Sequence, residues 1–181
     1  EPVATPAPRA SLTRATVLFA DLVGFGALSE RMGPEPAYLV VTRAVRLLDS
    51  VVRRYGGSVD KYLGDCLMAV FGYPVPLARA ALAAAEAALE MRERLRDYSH
   101  ELELPVPLEI VIGINTGQMV AGDIAGPVIR EFHVLGDAVN LAARMKARAP
   151  LGRIYLVPET EAEIRGQHVM RRLEPVLFKG K

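Results

Sequence analysis

The chain has 181 residues, of which 51% are hydrophobic and 24% charged, a composition typical of a soluble globular protein. Its 22 basic and 21 acidic residues leave a net charge of +1, which excludes the strong positive field of a nucleic-acid-binding domain. The single cysteine, Cys66, excludes an internal disulfide and favours a reducing compartment. No apolar run approaches the roughly 18 residues of a membrane span. We therefore expect no membrane contact from this fragment and a cytoplasmic location, whether the full-length protein is soluble or tethered to a membrane.

The beginning of the chain differs in composition from the rest. Residues 1–12, EPVATPAPRASL, are rich in Pro and Ala and predict a flexible linker remnant of a longer protein. Residues 13–181 are enough for one domain with its own core.

The first half of this domain predicts a strand, a long helix and a hairpin. RATVLFADLVGF is a β-branched and apolar run that predicts a buried strand ending near Asp21, with a turn at Gly24. Apolar residues at spacings of three and four from Pro34 predict an amphipathic helix of about five turns, ended by a Gly-Gly pair. GSVDKYLGDCLMAVFG predicts a β-hairpin with Asp65 at its tip.

The second half begins with a predicted Ala-rich helix over residues 77–98. PLEIVIGINTGQMVAGDI then predicts two strands joined near residues 115–117, where Asn, Thr and Gly indicate a turn. EFHVLGDAVNLAARMK predicts a short strand, a Gly-Asp turn and a helix with Asp137 as its N-cap. A strand at GRIYLV, a short helix over residues 158–165 and a last strand over residues 169–178 complete the chain.

Adjacent strands with helices between them favour an α+β fold, in which helices pack on one face of a mostly antiparallel sheet.

Two aspartates are candidate metal ligands. Asp21 ends one predicted strand and Asp65 lies at a hairpin tip, each with a glycine nearby that lets backbone approach a ligand. Two carboxylates on converging strand ends suit hard cations such as Mg²⁺, which prefer oxygen ligands. Taken singly, each aspartate is more typical of a cap or a turn.

Two residues of the last long helix are candidates for phosphate chemistry. Asn140 and Arg144 are four residues apart and share a helix face, so an amide and a guanidinium can act on the same phosphate oxygens. A solvated face is the structural alternative. Lys61 precedes the hairpin tip, where a lone lysine is usually exposed. GINTGQMVAG lacks the Lys-Ser/Thr ending of a Walker loop and is not a dinucleotide fingerprint.

Four segments together resemble the class III nucleotidyl cyclases, the adenylyl and guanylyl cyclase catalytic domain. They are VLFADLVGF, GGSVDKYLGDCLMAVFG, GINTGQMVAGDI and FHVLGDAVNLAARM, in the order and spacing of that family. The resemblance covers about residues 14–180. It implies a ferredoxin-like α+β catalytic domain that acts as a head-to-tail homodimer, with substrate at the subunit interface and further regulatory domains in the full-length chain.

The resemblance also assigns roles to individual residues. It implies that Asp21 and Asp65 bind two divalent cations, Mg²⁺ or Mn²⁺, and that the backbone of Leu22, Val23, Gly24 and Phe25 lies against the triphosphate. It further implies that Lys61 hydrogen-bonds the purine ring and that Asn140 orients the ribose. Arg144 would stabilise the transition state at the α-phosphate, and Lys179 would contact the phosphates. Each site would take its aspartates from one chain and its lysine, asparagine and arginine from the other.

The implied reaction is attack of the ribose 3′-hydroxyl on the α-phosphate of ATP, releasing pyrophosphate. A catalytically silent dimerisation module is an alternative, but it should lack a metal aspartate, the asparagine or the arginine, and this chain keeps them all. RYGG at residues 54–57 suggests an enzyme that joins two guanine nucleotides, but the acidic signature expected after it is absent.

His133 departs from the family pattern, which has Asp or Thr there in adenylyl cyclases and often Cys in guanylyl cyclases. A neutral imidazole has one donor and one acceptor nitrogen, so His133 alone does not decide between adenine and guanine. Packing at the strand end is the structural alternative. Lys61 favours ATP, because guanylyl cyclases of the family tend to have an acid there. A guanylyl cyclase or an enzyme of relaxed specificity remains the alternative.

Overall fold

Strands and helices follow the predicted order through most of the chain. The computed structural model describes residues 10–125 and 130–174, of which residues 123–125 and 130–133 by their backbone alone. The elements are β1 (Ala10–Val23), α1 (Phe25–Met32), α2 (Pro34–Arg54), β2 (Ser58–Leu63), β3 (Cys66–Phe71), α3 (Ala80–Glu101), β4 (Glu109–Ala125), β5 (Arg130–Leu135), α4 (Asp137–Arg148), β6 (Ile154–Leu156) and α5 (Pro158–Ile164). Residues 10–12 of the predicted linker are thus the first residues of β1.

One six-stranded sheet organises the described residues. Its strand order is β2-β3-β1-β4-β5, and β6 pairs with β4. The β4–β6 pair is parallel and the other pairs are antiparallel. This arrangement confirms the predicted α+β fold with a mostly antiparallel sheet. No helix in the described parts of the chain is long and apolar enough to cross a bilayer.

Helices cover both faces of the sheet, so the expectation of a single covered face is wrong. Alternate residues of β1 point to opposite faces. Leu18 and Leu22 pack in a core with α2 and α3, whereas Val17 and Phe19 pack in a second core with α4. The sheet therefore lies between two layers, and Asp21 belongs by alternation to the face that α4 covers.

β4 is one long strand, so the predicted turn at residues 115–117 is wrong. β1 pairs with β4 without interruption from Glu109 to Gly122. The glycines serve helix packing instead, because a Cβ added at Gly113 would lie 2.4 Å from the carbonyl oxygen of Ala142 and 2.5 Å from the backbone nitrogen of Lys146. A Cβ at Gly117 would lie 3.2 Å from the Cβ of Ala138. The sequence was misinterpreted because a glycine at a close contact looks like a glycine in a turn.

Other predictions have mixed outcomes. The two long helices, the hairpin and the short helix α5 are confirmed. Asp137 is not the N-cap of α4: Gly136 occupies that position, and Asp137 is the first helical residue. Residues 169–174 of the predicted last strand have no regular secondary structure, and residues 175–178 lie outside the described residues.

The contact of α4 with Gly113 gives a stability prediction. Gly113→Ala should lower the free energy of unfolding by about 1–3 kcal/mol, because the added methyl group meets backbone atoms that move only with the whole helix. Gly26→Ala, in helix α1, is the matched control. Apart from its chain neighbours and the backbone of its own helix, a Cβ at Gly26 meets no heavy atom within 4 Å. The control should be neutral or stabilising by up to about 1 kcal/mol. Urea denaturation measures both, and equal stability of the two variants would contradict the packing role of Gly113.

Candidate active site

The two candidate metal ligands meet at one edge of the sheet. Asp21 is paired in register with Cys66, the first residue of β3, which places Asp65 beside the end of β1. The backbone nitrogen of Leu22 donates a hydrogen bond of 3.1 Å to the carbonyl oxygen of Asp65. Strand pairing therefore holds the two aspartates together, as the sequence predicted. No group of three or more His, Cys, Asp or Glu forms a metal-binding cluster among the described side chains, so the candidate ligands are these two carboxylates.

The amino end of α1 lies directly after the same strand. Gly24 is the N-cap, with φ of +120°, a backbone conformation that other residues rarely adopt. Its carbonyl oxygen accepts the first helical hydrogen bond, 2.9 Å from the nitrogen of Leu28. No side-chain cap accepts a hydrogen bond from the first-turn N–H groups of this helix. Such a helix end favours anions, as the phosphate-binding role predicted for Gly24 and Phe25 requires. Leu22 and Val23 lie in β1, and the backbone N–H of Leu22 already donates to Asp65, so the role of these two residues stays a prediction.

Lys146 contacts this edge from α4, a contact that the sequence analysis missed. Its ammonium nitrogen donates a hydrogen bond of 2.6 Å to Oδ2 of Asp21. Burial alone would lower the pKa of Lys146, but the hydrogen bond from Lys146 to Asp21 and the nearby charge of Asp65 raise it. Burial also raises the pKa of the Cys66 thiol to about 11, so this side chain is neutral near pH 7. The sequence signal that could have identified Lys146 is its position four residues after Ala142, which places it on the buried stripe of α4.

Lys61 lies on β2 beside a second residue that the sequence analysis did not single out. The register of the β2–β3 pair shifts between Val59 and Lys61, so Asp60 is an extra residue in the strand. Its carboxylate oxygen Oδ2 lies 3.1 Å from the Lys61 ammonium, and its side chain is only 4% exposed. The bulge thus places a buried negative charge beside the predicted purine-binding lysine.

Asn140 and Arg144 lie on the outer side of α4. Ala138 and Ala142 are buried against the sheet, and the two candidates follow them by two residues, about 200° around the helix axis. Both are exposed. The helix therefore directs them away from the sheet that carries Asp21 of the same chain, so one chain does not bring all the predicted site residues together.

The sequence of this chain matches a family model. This model is described as "Adenylate and Guanylate cyclase catalytic domain" and covers residues 8–181. The chain belongs to this family.

Relatives of this cyclase domain include enzymes named for both bases. An adenylate cyclase of Mycobacterium tuberculosis is 33% identical over 167 residues, which are 92% of this chain and 37% of that protein. The adenylyl cyclase CyaB from P. aeruginosa superposes with a TM-score of 0.89 at 29% identity, over 96% of this chain and 91% of that one. The guanylyl cyclase Cya2 superposes with a TM-score of 0.87 at 30% identity, over 95% and 88%. Overall similarity therefore does not decide the base.

Two predicted residues of the cyclase site are not fully described. The backbone of His133 lies opposite Gly122 in the β4–β5 pair, and its side chain is outside the described part of the structure. Lys179 lies outside the described residues altogether.

Two asparagines, Asn140 on the outer side of α4 and Asn115 at the contact between β4 and α4, give a matched prediction. Asn140→Ala should change the free energy of unfolding by less than about 0.5 kcal/mol, because this side chain is exposed on the outer side of α4. Asn115→Ala should cost about 1–3 kcal/mol, because Asn115 is buried and its Nδ2 donates a 2.9 Å hydrogen bond to the carbonyl oxygen of Ala138. Chemical denaturation compares the two. A large loss in Asn140→Ala would show that Asn140 supports the fold.

Proposed function

We propose that residues 13–181 form the catalytic domain of an adenylyl cyclase, which converts ATP to 3′,5′-cyclic AMP and pyrophosphate at sites shared across a homodimer. The observation that carries this proposal is the convergence of Asp21, Asp65 and the amino end of α1 at one sheet edge in a chain of the cyclase family. Carboxylates for cations then lie beside backbone N–H groups for phosphates.

The residues present fit two divalent cations, Mg²⁺ or Mn²⁺. Asp21 and Asp65 supply oxygen ligands. The ion pair between the Lys146 ammonium and Asp21 supports this assignment, because this carboxylate already binds a positively charged group. When bound, the cations lower the pKa of the attacking hydroxyl and neutralise charge on the leaving phosphate.

The other residues position the substrate and stabilise charge. The amino end of α1 binds the triphosphate, and Asn140 orients the ribose so that its 3′-hydroxyl faces the α-phosphate. Arg144 donates to the α-phosphate oxygens as the new bond forms and the bond to pyrophosphate breaks. The proton of the 3′-hydroxyl passes to solvent water as the ring closes and pyrophosphate is released, and no covalent enzyme intermediate is required.

A second copy of the chain completes each site. Asn140 and Arg144 are exposed on the outer side of α4, where they would contact a nucleotide bound at Asp21 and Asp65 of a second copy. Because one sequence holds both halves, a symmetric head-to-tail homodimer would contain two sites. A catalytically silent dimer is disfavoured, because none of these four residues is replaced.

ATP is the proposed substrate, and GTP is the alternative that the similarity to a guanylyl cyclase keeps open. Lys61 lies beside the Asp60 carboxylate and donates rather than accepts, so it does not suit the N1–H and N2–H donors of guanine. Neutral His133 would accept a hydrogen bond from the 6-amino group of adenine. Turnover of the purified protein with each nucleoside triphosphate tests the proposal, and no cyclic product from any of them would overturn it.

Shared sites predict complementation between inactive variants. Asp21→Ala and Arg144→Ala should each lose cyclase activity, since each damages both sites of its homodimer. An equal mixture should recover about a quarter of wild-type activity, because half of the dimers are mixed and one of their two sites is intact. Mixing Asp21→Ala with Asp65→Ala is the control and should recover nothing. Absence of recovery in the first mixture, with subunit exchange demonstrated, would contradict sites at the interface.

Base selection predicts a pH-dependent preference. Protonated His133 has donors only, so the ratio of kcat/KM for ATP to that for GTP should fall as the pH is lowered and the imidazole becomes protonated. His133→Asp should raise the ratio roughly tenfold near neutral pH, because a carboxylate accepts from the 6-amino group and repels the 6-oxo group. Steady-state kinetics with both nucleotides measure the ratio. A ratio unchanged by pH and by the substitution would remove His133 from base recognition.

A further inference from the structure

The Lys146–Asp21 ion pair has no place in the reaction described above. Lys146 Nζ and Asp21 Oδ2 are 2.6 Å apart, and the two side chains are 20% and 25% exposed. The pair joins the carboxyl half of α4 to the end of β1, 125 residues apart in sequence. The ammonium group therefore lies on an oxygen that the proposed cations also need.

The backbone around Lys146 is fixed by packing. The backbone nitrogen of Lys146 lies so close to Gly113 that a Cβ there would approach it to 2.5 Å. Gly113 is paired with Phe19 and Val111 with Asp21, so the contact is two residues away from Asp21 along the same sheet face. α4 thus holds the start of the Lys146 side chain at a set position from which the ammonium reaches Asp21.

Two aspartates lie together at this end of the strands, so a positively charged group is needed beside them when no metal is bound. Asp65 lies next to Asp21 through the β1–β3 pairing, and both aspartates act electrostatically on Lys146. Asp21 is partly buried and Asp65 is exposed. The two carboxylates repel each other, and one ammonium offsets part of that repulsion.

From this geometry we propose that Lys146 is an internal counter-ion of the metal site, which holds Asp21 in the metal-free protein and has to leave Oδ2 when a divalent cation binds. The inference rests on the proposed function, because it assigns the cations to Asp21 and Asp65. The ammonium and a divalent cation have the same sign and require the same oxygen, so they compete. The flexible four-carbon stem of lysine allows the ammonium to leave without movement of α4.

The test is direct titration with Mn²⁺ in the absence of nucleotide, with free Mn²⁺ measured by electron paramagnetic resonance. Lys146→Gln should bind Mn²⁺ about tenfold more tightly than wild type, the change expected when one charge-assisted hydrogen bond no longer has to be broken. Lys146→Arg keeps the charge and should stay within a few-fold of wild type. Arg46→Gln is the matched control, since it removes one exposed positive charge from α2 on the opposite face of the sheet, and it should bind as wild type does.

A second readout is thermal denaturation. Metal-free Lys146→Gln should melt at a lower temperature than wild type, because its carboxylates lack their counter-ion, and should gain more than wild type from the same Mn²⁺ concentration. If Lys146→Gln does not fold, Lys146→Met serves in both measurements, since it retains a similar apolar stem without charge. Equal or weaker Mn²⁺ binding in the uncharged variant would overturn the inference.

The two proposals fail in distinguishable ways. If wild type binds Mn²⁺ and forms cyclic nucleotide, Asp21→Asn loses the binding and Lys146→Gln binds as wild type does, then only the role of Lys146 is wrong. If neither wild type nor Lys146→Gln binds Mn²⁺, and no nucleotide is cyclised with any divalent cation, both the proposed function and the inference are wrong.

Discussion

The close contact between α4 and β4 is the constraint on which the candidate site depends. Gly113 leaves room for the helix backbone itself, and Gly117 leaves room for the Cβ of Ala138. A methyl group at either position would push α4 outward, and Lys146 would then no longer reach Asp21 in the same geometry. The buried hydrogen bond from Asn115 to the carbonyl oxygen of Ala138 fixes the same contact near the amino end of the helix. The position of α4 is therefore set by close contacts with β4 at Ala138, Ala142 and Lys146.

This position gives α4 two functions on opposite sides. Its inner side packs on the sheet and directs Lys146 to the carboxylates of its own chain. Its outer side presents Asn140 and Arg144 to solvent, where a second chain can bind. In the proposed homodimer one helix would thus contact the metal ligands of one site and the phosphates of the other. A small shift of α4 would change both sites together, because the helix moves as one body.

The sequence predicts the parts of this structure that depend on periodicity and motif. The spacing of apolar residues predicts α2, and the Gly64–Asp65 turn between two apolar runs predicts the β2–β3 hairpin, because both signals are local. The uninterrupted β4 is not predictable in this way, since Gly113 and Gly117 are explained only by a helix that follows them in the chain. Lys146 and Asp60 were missed for the same reason. One depends on the packing of α4, and the other depends on a register shift in β2 that no local pattern shows.

Asp21 is subject to opposing demands from folding and from the proposed chemistry. A cation site needs negative charge in one place, whereas a folded chain is destabilised by carboxylates that lie together without a counter-ion. In the metal-free protein Lys146 offsets the charge of Asp21, from the side that the sheet and α4 enclose, and so reduces this destabilisation. In the proposed metal site, its contribution to stability would be given up when a cation takes its place. The cation affinity of such a site therefore reflects the difference between two ionic contacts with one carboxylate, and the residue that stabilises the metal-free fold also sets how readily the site is filled.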